Sequence, residues 1–183
     1  MPFLIIFIEK SRRGADMRYL CKGLALAICG VLGVLTVLLV LPGLFGIHPL
    51  IVQSGSMEPA YPRGSMLYVR GTEASELTEG TAVTFHLEDE ETLVTHRIIR
   101  IDTEKEEIYT KGDANVLEDV AATPFEKIVG IPFFCIPHLG QLAGYLSSMA
   151  GKAGVIMLVV MVCLLSWMDG ALLRQEEKEV WEE

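Results

Sequence analysis

The chain has 183 residues, 51% of them hydrophobic, with 15 Lys and Arg against 24 Asp and Glu. That length holds one ordinary domain with additions and excludes a large multidomain enzyme. A net charge of −9 argues against a nucleic-acid partner, because phosphate contacts need clustered Lys and Arg. Cys21, Cys29, Cys135 and Cys163 show no CxxC spacing and lie in or near apolar stretches. Buried free thiols are therefore expected, and neither a disulfide framework nor a zinc site.

The apolar residues gather near the two ends and the charges lie between them. Residues 23–47 carry no charge. About 20 apolar residues at ~1.5 Å each cross a bilayer core, so this run is long enough to span. Lys10, Arg12, Arg13, Arg18 and Lys22 precede it, which by the positive-inside rule puts residues 1–22 in the cytoplasm. A cleavable leader has the same basic start. This run, however, is too long for such a leader and lacks a small-x-small exit, so a retained anchor is expected. The apolar segment Pro2–Ile8 is too short to span. It is read as an interfacial segment, or as an over-extension upstream of a start at Met17.

Near the other end, residues 153–168 are uncharged. Extended back to Leu146, with Lys152 snorkelling to the interface, 146–168 reads as a second membrane helix. The competing reading is a buried terminal helix of the soluble part. A stretch that is apolar on every face favours the membrane. Two spans return the acidic tail, 169–183, to the cytoplasm.

Between them, residues 48–145 read as a small antiparallel β domain, so the fold class is mainly β with a helix on each flank. Alternating runs fall at 65–70, 81–86, 93–101, 107–111 and 128–134, punctuated by Gly64, Gly71, Gly80 and Gly112. No helical pattern separates the runs, which excludes a βαβ arrangement. The acidic stretches 88–91 and 104–107 read as solvated hairpin tips.

Three short segments carry chemistry. In Gln53-Ser54-Gly55-Ser56-Met57-Glu58-Pro59, a tight turn can present one hydroxyl and a backbone N–H towards the same point. A serine nucleophile needs both, although Ser-Gly-Ser alone is also a common linker. In Leu93-Val94-Thr95-His96-Arg97-Ile98, strand alternation puts His96 with Val94 and Ile98, and Arg97 on the opposite side. An imidazole among apolar neighbours suits a general base, while a lone strand histidine is ordinarily a satisfied polar group. His48, His86 and His138 sit at segment edges with less support. In Lys111-Gly112-Asp113-Ala114-Asn115, followed by Glu118 and Asp119, the pattern is turn chemistry. A neutral histidine base also needs an acceptor to fix its tautomer, and Asp113 and Asp119 are both candidates.

Ser-Gly-Ser-Met-Glu-Pro, then Thr-His-Arg, then Lys-Gly-Asp-Ala-Asn with Asp119 beyond, resemble the type I signal peptidases. More narrowly, they are similar to the branch of the endoplasmic reticulum, archaea and some spore-forming bacteria, where histidine replaces the lysine base. The resemblance covers about residues 19–168. It implies Ser56 as nucleophile, His96 as general base, and Asp119 as the acid of a triad. Asp113 corresponds to the Asp of the Gly-Asp motif. Which aspartate touches the imidazole stays open on the sequence, with Asp119 favoured. Ser54 corresponds to a hydroxyl that joins the Ser56 N–H in an oxyanion hole. Ser65 after Gly64 and Thr81 after Gly80 depart from Gly-Asp pairs common in the family, which touches turn geometry and not the triad.

The activity this resemblance implies is serine endopeptidase cleavage of signal peptides from translocated preproteins, after small residues, with no cofactor and no metal. Secretory preproteins, the lipid bilayer and the translocation machinery are the implied partners. The implied location is the plasma membrane with an extracytoplasmic catalytic domain, or the reticulum membrane in a eukaryote. Two alternatives have different signatures. Self-cleaving repressors share the fold but are soluble and use lysine, and a non-enzymatic anchored β domain has no need of Ser56, His96 and an aspartate together.

Overall fold

A computed structural model describes the backbone over residues 2–87 and 90–181, and side chains over 19–87, 90–168 and 170. The expected tip at 88–91 and acidic tail at 169–183 fall partly or wholly outside the described side chains, as do the side chains around the alternative starts. The chain divides into two units, residues 38–147 and, as the second, residues 1–37 with 148–183.

The terminal unit is helical. Helix α1 runs Pro2–Leu39 and helix α3 runs Met149–Trp181. Two stretches are long and apolar enough to cross a membrane, Tyr19–Phe45 and Met149–Met168, with mean hydropathies of 2.9 and 2.2. Their apolar side chains are uncovered by protein: Leu26 is 73% exposed and Met157 71%. Such surface is stable against lipid and costly against water. The apolar helix at the C-terminal end begins at Met149 and not at Leu146, because Ser148 caps it. The Ser148 hydroxyl accepts the Gly151 N–H at 3.1 Å, and its carbonyl accepts the Lys152 N–H at 2.9 Å. Leu146 belongs instead to the short helix α2, Leu139–Ser147.

The β unit is one seven-stranded, wholly antiparallel sheet. Its strands are β1 Ile47–Ile51, β2 Met66–Arg70, β3 Ala82–His86, β4 Leu93–Asp102, β5 Glu107–Lys111, β6 Thr123–Pro124 and β7 Ile128–Ile136. Their order across the sheet is β1-β2-β7-β3-β4-β5-β6. β1 is an edge strand, which is where its Pro49 can sit without removing a ladder hydrogen bond. Tyr68 on β2 donates its hydroxyl to the Leu38 carbonyl at 2.8 Å, satisfying one of the acceptors left over at the end of α1.

The core draws mainly on the runs 81–86, 93–101, 107–111 and 128–134, joined from outside them by Leu77 and Phe125. Leu77, Val83, Phe85, Ile98 and Ile108 make one buried cluster, packed against Val94, Ile101, Phe125, Ile128 and Ile131. This cluster fixes β3, β4 and β5 side by side and so fixes the height of His96 on β4. Gly130 on β7 lies against the Arg70 carbonyl and Gly140 on α2 against the Ser65 carbonyl, too close for any side chain. Backbones therefore meet directly at both ends of β2, the strand that follows the Ser56 loop.

Candidate active site

The connection between β1 and β2 is clamped at its neck. Val52 N–H reaches the Ser65 carbonyl at 3.0 Å, and Gly64 N–H reaches the Val52 carbonyl at 2.8 Å. These bonds continue the β1–β2 ladder and hold residues 53–63 as a defined loop. Inside it, Glu58 N–H bonds the Gly55 carbonyl and Tyr61 N–H the Met57 carbonyl, while the Met57 side chain is buried at 2% exposure. Ser56 is thus held from below by its neighbour's side chain. It is held from beside by its own carbonyl, which accepts the Ala114 N–H at 2.8 Å. Gly112 approaches that same carbonyl so closely that a Cβ there would lie 2.7 Å from it. Glycine at this position is a packing requirement of the Ser56 loop.

β4 brings the second group. Ser56 Oγ and His96 Nε2 are 3.2 Å apart, and His96 Nδ1 and Asp119 Oδ2 are 2.6 Å apart. His96 is 9% exposed, with its ring edge-on to Phe85 at 6.4 Å between centroids. Ser54 Oγ lies 3.2 Å from Ser56 Oγ. An ionised carboxylate only accepts, so Nδ1 carries the proton shared with Asp119, which leaves Nε2 free to accept from Ser56. The arrangement can therefore move a proton off a serine hydroxyl.

Asp113 goes elsewhere. Arg97 donates to both its oxygens, Nε to Oδ1 at 2.8 Å and Nη2 to Oδ2 at 2.6 Å, and Nη1 donates to the Gly80 carbonyl at 2.7 Å. His96 and Arg97 are adjacent on one strand, and each takes one of the two aspartates from the segment after β5. The Arg97 hydrogen bonds, against an opposing cost of burial, hold the Asp113 carboxyl below the usual carboxylate range. A folded-state value below the unfolded one means the pair's contribution is present above about pH 4 and fades as pH falls through that value and lower. Asp113→Asn is accordingly expected to flatten the acid side of the stability profile. Thermal unfolding between about pH 5 and pH 2 should show the wild type losing more of its midpoint than the variant does. Equal slopes would mean the pair contributes nothing.

The remaining expected positions fall outside this line. His48 is exposed on β1 and His138 is exposed with φ of 63°, while His86 ends β3. Ser65 is fully buried and donates its hydroxyl to the Pro62 carbonyl at 2.6 Å, and Thr81 pairs with Thr78 through their hydroxyls at 2.8 Å. Both departures from Gly-Asp are turn contacts. One contact had no sign in the sequence: Thr110, 1% exposed on β5, donates its hydroxyl to Asp119 Oδ2 at 2.6 Å.

Ser54, Ser56 and His96 open into a cleft of about 700 Å³. One wall is Leu50, Ile51 and Val52, from β1 and its continuation; the other is Leu93, Val94 and Thr95 at the start of β4. Met57, Tyr61 and Leu67 also line it. Burial pushes the Tyr61 phenol up, partly opposed by Arg97, so the phenol keeps its proton.

The chain is similar to known proteins. The chain is 32% identical over 130 residues to the signal peptidase complex catalytic subunit SEC11 of Lachancea thermotolerans, covering 63% of this chain and 76% of that one. The chain belongs to the type I signal peptidase family. It is also 39% identical over 90 residues to signal peptidase I W of Bacillus subtilis, covering 48% of this chain and 47% of that relative. To SEC11C of Canis lupus familiaris it is 35% identical over 72 residues, 38% of each chain. No protein-family profile matches the chain. With two apolar helices and these relatives, it is a membrane protein.

Proposed function

We propose that this chain is a membrane-bound serine endopeptidase that removes N-terminal signal peptides from translocated preproteins, cleaving after small residues. The observation that carries the reading is the line of contacts from Ser56 Oγ, which opens into the cleft, through His96 to Asp119 behind it. His96 Nε2 takes the Ser56 proton as Oγ attacks the substrate carbonyl. The Ser56 N–H and the Ser54 hydroxyl stabilise the oxyanion that develops. Protonated His96 then gives its proton to the leaving amine, and the new N-terminus departs from an acyl-Ser56. Water, deprotonated by His96, releases the signal peptide as a carboxylate. Asp119 holds the imidazole in one tautomer and stabilises its charged form throughout.

The cleft suits an extended apolar peptide. Such a segment can lie as a strand between the β1 continuation and the start of β4, using main-chain hydrogen bonds for affinity and side-chain pockets for selection. Phe45, the last residue of the first apolar stretch, precedes Ser56 by a short connection. With residues 1–22 cytoplasmic, the anchor confines Ser56 to the far face of the bilayer, where the apolar helix of a signal peptide ends. Residues 48–145 form the catalytic domain, Met149–Met168 the return span and 169–183 a cytoplasmic tail. The translocation machinery is a further partner.

The reading predicts a strict size rule. The detergent-solubilised protein should cut a preprotein carrying Ala-x-Ala after the final Ala. Changing that Ala to Phe should cut the rate by at least about 100-fold, since a site that fits small side chains has no room for a ring. Equal cleavage of both substrates, or cleavage elsewhere, would overturn the substrate class.

A further inference from the structure

Asp119 sits in a stretch that has little else to hold it. Between β5 and β6 there is no regular secondary structure, and the apolar side chains beside Asp119 point into solvent. Val116 is 89% exposed, Leu117 78% and Val120 106%. These chain neighbours therefore give Asp119 none of the packing that fixes His96 through β3 and β4.

What locates Asp119 is Thr110. The Asp119 N–H donates to the Thr110 carbonyl at 2.9 Å, and the Thr110 hydroxyl donates to Asp119 Oδ2 at 2.6 Å. One residue thus fixes both the backbone and the carboxylate. Thr110 itself is rigid: it is 1% exposed, lies on β5 and is paired with Ile98 of the core cluster on β4. The oxygen it grips is the one that faces His96 Nδ1, so Oδ2 receives two donors from two neighbouring strands. A charge-assisted bond of this kind sets the direction of the carboxylate as well as its position.

We propose that Thr110 is a positioning residue for the reaction, its hydroxyl aiming Asp119 Oδ2 at His96 Nδ1. This rests on reading Ser56, His96 and Asp119 as the reacting set. A buried threonine hydroxyl needs some partner, and elsewhere in the sheet Thr84 and Thr95 satisfy one another at 2.8 Å. Thr110 instead donates its hydroxyl to the carboxylate that, among the described residues, contacts the imidazole.

The test is Thr110→Val, which keeps the shape and removes the donor, alongside Thr110→Ser, which keeps the donor. For Thr110→Val, kcat on an Ala-x-Ala preprotein should fall by about 10- to 100-fold with KM little changed, as expected for losing a hydrogen bond to a charged group. Thr110→Ser should recover most of that loss. In an Asp119→Ala background, Thr110→Val should lower kcat no further, because its effect acts through the aspartate. A wild-type kcat in Thr110→Val, or an equal further loss in the Asp119→Ala background, would overturn the inference. If Thr110→Val fails to fold, as judged by its melting midpoint, Thr110→Ala takes its place in the same comparison. The two readings fail separately. A wild-type kcat in Asp119→Ala sinks the proposed mechanism, whereas a collapse in Asp119→Ala without one in Thr110→Val sinks only the role of Thr110.

Discussion

Ser56→Ala should leave the protein folded and reduce preprotein cleavage by about a million-fold, the loss seen when the nucleophile of a serine triad is removed. The structure gives two reasons to expect so clean a result. First, Ser56 is held by its backbone: its carbonyl accepts the Ala114 N–H, and Met57 beside it is buried. Neither contact involves the hydroxyl, so alanine keeps the loop in place. Second, the hydroxyl's neighbours tolerate its absence. Ser54 Oγ and His96 Nε2 both face the open cleft, where water replaces the lost partner. The assay is cleavage of an Ala-x-Ala preprotein by the purified variant, with its melting midpoint measured in parallel. Retained cleavage at the same bond would place the nucleophile elsewhere.

The sequence made the strands legible wherever burial alternates. Residues 107–111 were expected and observed with the same limits, and the expected run at 93–101 became Leu93–Asp102. β1 was hidden because Ile47 to Ile51 continues the apolar run of the anchor and contains Pro49. Only its place at the sheet edge makes a proline acceptable there. α2 was hidden for a related reason. Gly140 and Gly144 argue against a helix locally, while the close approach of Gly140 to the Ser65 carbonyl requires it.

For the site, the resemblance to the signal peptidases singled out Ser56 and His96, which a tight turn and a strand then present predictably. The two aspartates could not be separated in that way. Both follow the same strand, and their partners are decided by which face of β4 each one meets. His96 and Arg97 differ by one residue and by one half-turn of the pleat, and that sends Asp119 to the imidazole and Asp113 to the guanidinium. Thr110 was equally illegible, since nothing in a strand threonine says which carboxylate will return to meet it.

That division of the aspartates makes Asp119→Asn the sharper test of the mechanism, with an expected loss in kcat of about 10,000-fold. An asparagine has nearly the same shape, so the protein should fold. Its amide can turn either way, and both orientations fail. With the amide nitrogen at the place of Oδ2, a donor faces His96 Nδ1, and the imidazole must switch tautomer to accept it. Nε2 then carries the proton and cannot take another from Ser56, 3.2 Å away. With the amide oxygen there instead, the tautomer is kept, but no negative charge remains to stabilise the imidazolium formed during attack. Asp113→Asn removes a charge from the same segment and should change kcat by less than about ten-fold, because its carboxylate contacts Arg97 and the imidazole contacts Asp119. The two variants assayed side by side on one preprotein decide the matter. If Asp113→Asn were the inactive one, the proton path would run through the Arg97 pair, and the assignment of Asp119 would fall.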